Sequence, residues 1–236
     1  MRLAPLALLS LLSFAVEAST LQRELGPYQL NLGTSPSRSM AQGLVQPQHS
    51  SSLHGGFDLS HPSGWYLGQW SPSIGVLPGK RTELNHYLGY RSTLSEQLGV
   101  ELGTMRYSHP GYSHLDSQDL YAGLTLGERH LGLAFSDEPS RRDATLLADF
   151  GRLTPLGLAV RLRYANHLLD SPTTLDDGSQ VRLFNDWSLS LSRPWLGIDL
   201  NLSYSDSSLD EEACTAYSGQ NSRCEGELSF EASRVF

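Results

Sequence analysis

Alternation of apolar and polar side chains with a period of two recurs from about residue 50 to the last residue, and this limits what the chain can fold into more than any other feature. Leu120, Ala122, Leu124 and Leu126 alternate with Asp119, Tyr121, Gly123 and Thr125. Leu196, Ile198, Leu200, Leu202 and Tyr204 alternate with Gly197, Asp199, Asn201 and Ser203. Successive side chains of a strand point to opposite faces, so each run reads as a strand with one apolar face. Few segments carry the period of a helix.

Leucine dominates the apolar face, although β-branched residues usually lead in soluble sheets. The other face carries Gly, Ser, Asp, Arg and Tyr, a composition unsuited to a packed soluble core. A soluble sandwich would also alternate, so the connections carry the decision. About twelve strands are expected near residues 26–33, 51–60, 64–71, 82–93, 97–108, 117–127, 129–137, 143–152, 156–168, 182–193, 196–206 and 225–236. Short connections at 61–63, 95–96, around 128, at 153–155 and at 194–195 alternate with longer ones at 34–50, 72–81, 109–116, 138–142, 169–181 and 207–224.

Short periplasmic turns alternating with longer extracellular loops are the layout of an outer-membrane barrel. The expected fold is therefore all-β, an antiparallel transmembrane β-barrel with an even strand number and both termini on the periplasmic side. A sheet in hydrocarbon cannot leave an edge of unpaired N–H and C=O groups, so closure is a physical requirement. The aromatics Trp65, Tyr66, Trp70, Tyr90, Tyr107, Tyr164, Trp187, Trp195 and Tyr204 lie mostly near strand ends, as interfacial girdles would. The last strand puts Leu228, Phe230, Ala232 and the terminal Phe236 on one face. A C-terminal aromatic of this kind is the insertion signal that bacterial barrel precursors present to the barrel-assembly machinery.

The N-terminus adds a compartment. Met1-Arg2, the apolar stretch 3–16 and Val16-Glu17-Ala18 read as a cleaved signal peptide over 1–18, leaving 19–236 as one barrel domain in the outer membrane of a Gram-negative bacterium. Cleavage removes one Arg and one Glu, so the net charge of −8 is unchanged. A mean hydropathy of −0.28 fits such a barrel, whose polar and apolar faces average out. The acidic pI of 5.4 argues against a nucleic-acid partner. In an oxidising compartment Cys214 and Cys224 are expected to close a short loop as a disulfide.

Several runs resemble the TorF-type family (Gcw_chp-like outer-membrane proteins called porins without an established function). They are Leu53-His54-Gly55-Gly56-Phe57-Asp58-Leu59-Ser60-His61 with Ser63-Gly64-Trp65-Tyr66-Leu67-Gly68-Gln69-Trp70, then Glu83-Leu84-Asn85-His86-Tyr87-Leu88-Gly89-Tyr90, Tyr107-Ser108-His109-Pro110-Gly111 and Asp119-Leu120-Tyr121-Ala122-Gly123-Leu124. The resemblance covers roughly residues 25–236, is more specific in the first half, and departs from the family's aromatic-rich opening strand. It implies a barrel and, weakly, a pore, with no catalytic residues.

The register places Asp58, Arg91, Glu101, Asp119, Asp149, Arg161, Arg163, Asp186, Asp199, Glu227 and Glu231 inward. Acids outnumber bases, so a lumen lined this way favours cations weakly, and ions or small solutes are the expected cargo. The alternative is a closed, structural or surface-interaction barrel whose inward charges pair across the lumen. Loops 34–50 and 169–181 are polar and suit contact with solvent or lipopolysaccharide, and no long loop reads as an inward constriction or plug. An outer-membrane hydrolase is a further alternative. Adjacent pairs such as Ser108-His109 and Ser113-His114 point in different directions on an extended chain and mark no triad. No enzyme, catalytic residue, metal site or cofactor is expected.

Overall fold

The alternating runs become thirteen strands, paired antiparallel in sequence order within a single sheet. The computed structural model describes residues 20–34, 38–45, 54–74, 82–153, 157–174, 178–209 and 226–233. Residues 1–18, expected above to be a signal peptide, and Cys214, Cys224 and Phe236 lie outside them. The strands are β1 (Thr20–Leu25), β2 (Tyr28–Gly33), β3 (Gly55–Ser60), β4 (Trp65–Ile74), β5 (Thr82–Thr93), β6 (Leu98–Ser108) and β7 (Ser117–Leu126). They continue as β8 (Arg129–Glu138), β9 (Arg141–Leu153), β10 (Leu158–Thr174), β11 (Gln180–Trp195), β12 (Ile198–Ser207) and β13 (Glu227–Ser233). Two-residue turns close the tightest hairpins, with Gly26 and Gly127 at φ 64° and 61°, a backbone state that glycine adopts without steric cost.

Two expected loops are largely strand. β10 runs to Thr174 and β11 begins at Gln180, so the pairing of Thr173 with Val181 takes up most of 169–181. The expected loop 138–142 shrinks to a two-residue turn, where Arg141 bridges Glu138 at 3.2 Å and Asp143 at 2.9 Å. The connection 109–116 remains a loop, closed by the His109 amide donating to Asp116 at 2.8 Å. That bond, with Arg106 beside it, holds the half-buried Asp116 carboxyl below its ordinary range.

Cross-strand register defines two faces of opposite character. One row runs Asp58–Gly68–Tyr87–Met105–Asp119–Ser136–Asp143–His167–Phe184 through nine strands. Along the middle of β3–β11 the side chains of this polar face are buried or half-buried; Asp58 is 1%, Asn85 0% and Glu101 3% exposed. The opposite face is leucine-rich and exposed, with Leu102 at 57%, Leu120 at 53% and Phe230 at 68%. Several charges of the leucine face lie near strand ends: Arg106, Asp137, Arg142 and Asp206 are within two residues of one end, and Arg129 and Arg193 near the other.

The sheet is strongly curled around its polar face. Strands lie about 4.8 Å apart, so β3 and β8 are separated by roughly 24 Å of sheet. Yet the segment 38–45 touches both, through Arg38 on Asp58 and the backbone of Ala41 over Gly132. Three residues of extended chain span at most about 11 Å, so a flat sheet would put these contacts out of reach. Tyr66 of β4 and Tyr121 of β7 likewise meet at 2.9 Å between hydroxyls.

The sheet is nevertheless not closed. Among the described residues, β1 and β13 are each paired on one side only. The strand count is thirteen against the twelve expected, because Thr20–Leu25 adds a strand before β2. With thirteen alternating strands β1 and β13 run in the same direction, while the edge of β2 that would accept β13 antiparallel is held by β1.

Candidate functional site

The concave polar face has two halves of different chemistry. Over β3–β8 its middle is filled. Tyr66, Tyr87 and Tyr121 lie directly opposite Gly89, Gly68 and Gly103 on neighbouring strands, and their rings spread over the glycine backbones. A side chain at any of the three glycines would run into the tyrosine ring across from it. Glycine here makes room for an aromatic layer.

Onto that layer folds the segment 38–45, part of the connection between β2 and β3. Met40, Ala41 and Val45 are at most 1% exposed, and Met40 and Val45 exchange backbone hydrogen bonds around the 3-10 turn Ala41–Gly43. Ala41 takes φ 48°, costly for a residue with a Cβ, and sits on two glycines, Gly123 and Gly132. A Cβ at Gly132 would stand 2.5 Å from the Ala41 carbonyl oxygen. The reading of 34–50 as a polar loop suited to solvent or lipopolysaccharide, with no long loop folding inward, is therefore corrected for residues 38–45, which pack onto the polar face. Its polar composition conceals a short apolar insert, Met40-Ala41 and Val45, that the tyrosine layer buries.

Two acids hold the insert. Glu101 accepts from the Ala41 amide at 3.0 Å, the Tyr66 hydroxyl at 2.6 Å and Arg91 at 2.8 Å. Asp58 receives a bidentate pair from Arg38 at 2.8 and 2.9 Å, and the Tyr87 hydroxyl at 3.0 Å. Ionised acceptors make the stronger hydrogen bonds, and each carboxylate here ties the wall to the insert.

Over β9–β13 the same face is open and hydroxylic. Ser188 and Ser190 of β11, Ser203 and Ser205 of β12 and Ser229 of β13 occupy two adjacent rows of the ladder. An open cleft here is lined by Asp149, Arg161, Asp199 and Glu231 among others. Arg161 pairs with Asp149 at 2.9 Å. Above it His167, stacked on Phe184 at 4.6 Å, joins Asp143 at 2.8 Å and Asp186 at 2.6 Å.

All eleven sequence-derived candidates share this face: Asp58, Arg91, Glu101, Asp119, Asp149, Arg161, Arg163, Asp186, Asp199, Glu227 and Glu231. They do not form one cluster. Asp58, Arg91 and Glu101 belong to the filled half, while Asp119 accepts from Tyr107 at 2.7 Å near one end of the strands. Arg163, Asp199, Glu227 and Glu231 lie on the open half.

Sequence reasoning missed Arg38, Met40, Ala41, Tyr87, Asp143 and His167. It also assigned Tyr66, Trp70 and Tyr107 to the outward girdle. Tyr66 and Trp70 are 3% exposed on the polar face, and Tyr107 lies on that face too. A usable signal was present: Tyr-x-Gly recurs at Tyr66-Gly68, Tyr87-Gly89 and Tyr121-Gly123, always in the polar phase of its strand.

Compared with known proteins, residues 26–236 match the model of the Gcw_chp family, described as a bacterial protein of unknown function. No curated protein matches, and no solved structure matches.

Proposed function

The chain belongs to the Gcw_chp family of bacterial proteins of unknown function, and we propose that it is an outer-membrane β-barrel that passes ions or small hydrophilic solutes along its serine-lined half, with a weak preference for cations. One observation carries this reading: the inverted polarity of the sheet. Carboxylates, asparagine and histidine are buried on the concave face while leucine and phenylalanine are exposed on the convex one. Such a surface is costly in water and favourable in hydrocarbon.

In this reading the barrel closes between β13 and β2, with β1 released from the seam. That leaves twelve strands, the even number of bacterial barrels, and an antiparallel junction. The register supports the release of β1. Arg23 lies opposite Leu30 on the leucine face, so β1 brings a charge to the surface that the other strands fill with leucine. The likeness to TorF-type porins in the runs around Asp58, Tyr87 and Tyr121 agrees with the same function.

The insert 38–45 narrows one half of the lumen, and the hydroxyl-lined half with Asp199, Glu227 and Glu231 remains as the route. The mature protein, refolded and added to a planar bilayer, is expected to give discrete conductance steps with a reversal potential on the cation side. Asp199→Lys is expected to move that potential toward anions, since charged linings set the sign of what passes. A bilayer that stays silent while heat-modifiable mobility confirms insertion overturns the channel and favours a closed barrel filled by its own insert.

A further inference from the structure

We propose that Asp58, Tyr66 and Tyr87 form a guanidinium-binding site in the wall of the lumen, occupied by Arg38 of the chain's own insert and open to guanidinium-bearing solutes in competition with it. This deepens the channel reading and rests on it for the solute's route to the site.

The site is built as guanidinium sites are. The carboxylate of Asp58 takes both Nε and Nη2 of Arg38, at 2.8 and 2.9 Å, in the planar fork that distinguishes arginine from lysine. The guanidinium carbon stands 4.1 Å from the centroid of the Tyr66 ring, so the cation lies over an aromatic face. The Tyr87 hydroxyl donates to Asp58 Oδ2 at 3.0 Å and fixes the carboxylate in its rotamer. Tyr66 is fixed in turn by Glu101 and Tyr121, at 2.6 and 2.9 Å. Every wall member is anchored by the sheet, whereas Arg38 arrives on a connection between strands. The wall is the receptor and Arg38 the ligand.

The energetics require an occupant. Asp58 is 1% exposed. If the insert leaves, the carboxylate keeps, among the described residues, the Tyr87 hydroxyl alone, and an uncompensated buried charge is strongly unfavourable. The vacated site therefore draws a cation from the lumen, and the aromatic face and the bidentate carboxylate select a flat guanidinium over a spherical ion. A solute of that kind would bind in place of Arg38 and hold the insert away.

The test is calorimetric titration of methylguanidinium into the whole mature chain refolded in detergent, at constant ionic strength. Arg38→Ala is expected to bind at least tenfold more tightly than the wild type, whose site is filled. The double variant Arg38→Ala/Asp58→Asn should lose that binding, and potassium should not replace methylguanidinium. Equal binding by Arg38→Ala and the wild type overturns the proposal, as does binding that survives Asp58→Asn or that potassium reproduces. Heat-modifiable mobility confirms folding, and should Arg38→Ala fail to refold, Arg38→Gln carries the same comparison. No current is measured, so the two readings fail separately. A silent bilayer with methylguanidinium bound sinks the channel alone, and conductance without binding sinks the site alone.

Discussion

Arginine in place of Leu102 is expected to cost about 2–4 kcal/mol when the protein folds into a bilayer, and close to nothing if the sheet faces water. Leu102 lies near the middle of β6 and is 57% exposed on the leucine face. A solvated arginine there would meet no obstacle, because exposed positions tolerate most substitutions. A lipid-embedded arginine at mid-height must snorkel or draw water inward. Ser205→Arg is the control: Ser205 is on the polar face, directly opposite Glu227. Urea unfolding from lipid vesicles should show a large loss for the first variant and within about 0.5 kcal/mol for the second. Equal small effects would mean that the leucine face does not meet lipid.

Glu101→Ala is expected to unseat the insert. The change leaves the buried Ala41 amide without its acceptor and takes from Tyr66 one of its two hydroxyl partners. An unsatisfied buried donor costs about 1–3 kcal/mol, so the docking of 38–45 should weaken by about 2–3 kcal/mol. Arg91 adds less, since its side chain is half exposed and recovers water. Trypsin reports the result directly, because the bond after Arg38 is protected only while the segment is seated. Cleavage there should quicken roughly 30- to 150-fold, the population change that such a free energy implies. Glu101→Gln keeps the shape and an acceptor, and should fall between. Unchanged cleavage in both variants would show that Glu101 does not hold the insert.

Most of the strand pattern was legible because a strand's side-chain period is two and leucine recurs on one phase. The same phase placed all eleven charges on one face, from Asp58 in β3 to Glu231 in β13. Strand ends were less legible. β10 and β11 extend past the expected boundary because the residues around Thr173 and Val181 pair without alternating in hydropathy. β1 escaped notice for a similar reason: Arg23 interrupts its apolar phase. The insert was illegible for a different reason. Met40, Ala41 and Val45 form no periodic pattern, and their burial depends on Gly123 and Gly132, which come about 80 residues or more later in the chain. Their docking arises from the curl of the sheet, a tertiary property that no local window contains. The Tyr-x-Gly recurrence was visible in the sequence, but its meaning required the register that sets each tyrosine over a glycine of the next strand.

Accessibility of spin labels along β12 tests the membrane barrel most directly. With Cys214 and Cys224 replaced by serine, single cysteines at 199 through 205 would be labelled in protein reconstituted into vesicles. Collision with oxygen, which concentrates in hydrocarbon, should peak at 200, 202 and 204. Collision with a polar nickel chelate should peak at 199, 201, 203 and 205, the positions of Asp199, Asn201, Ser203 and Ser205. Opposed two-residue oscillations of this kind are what a lipid-facing leucine surface and a wet polar face produce. Nickel chelate reaching both faces alike would place the sheet in water and contradict the barrel.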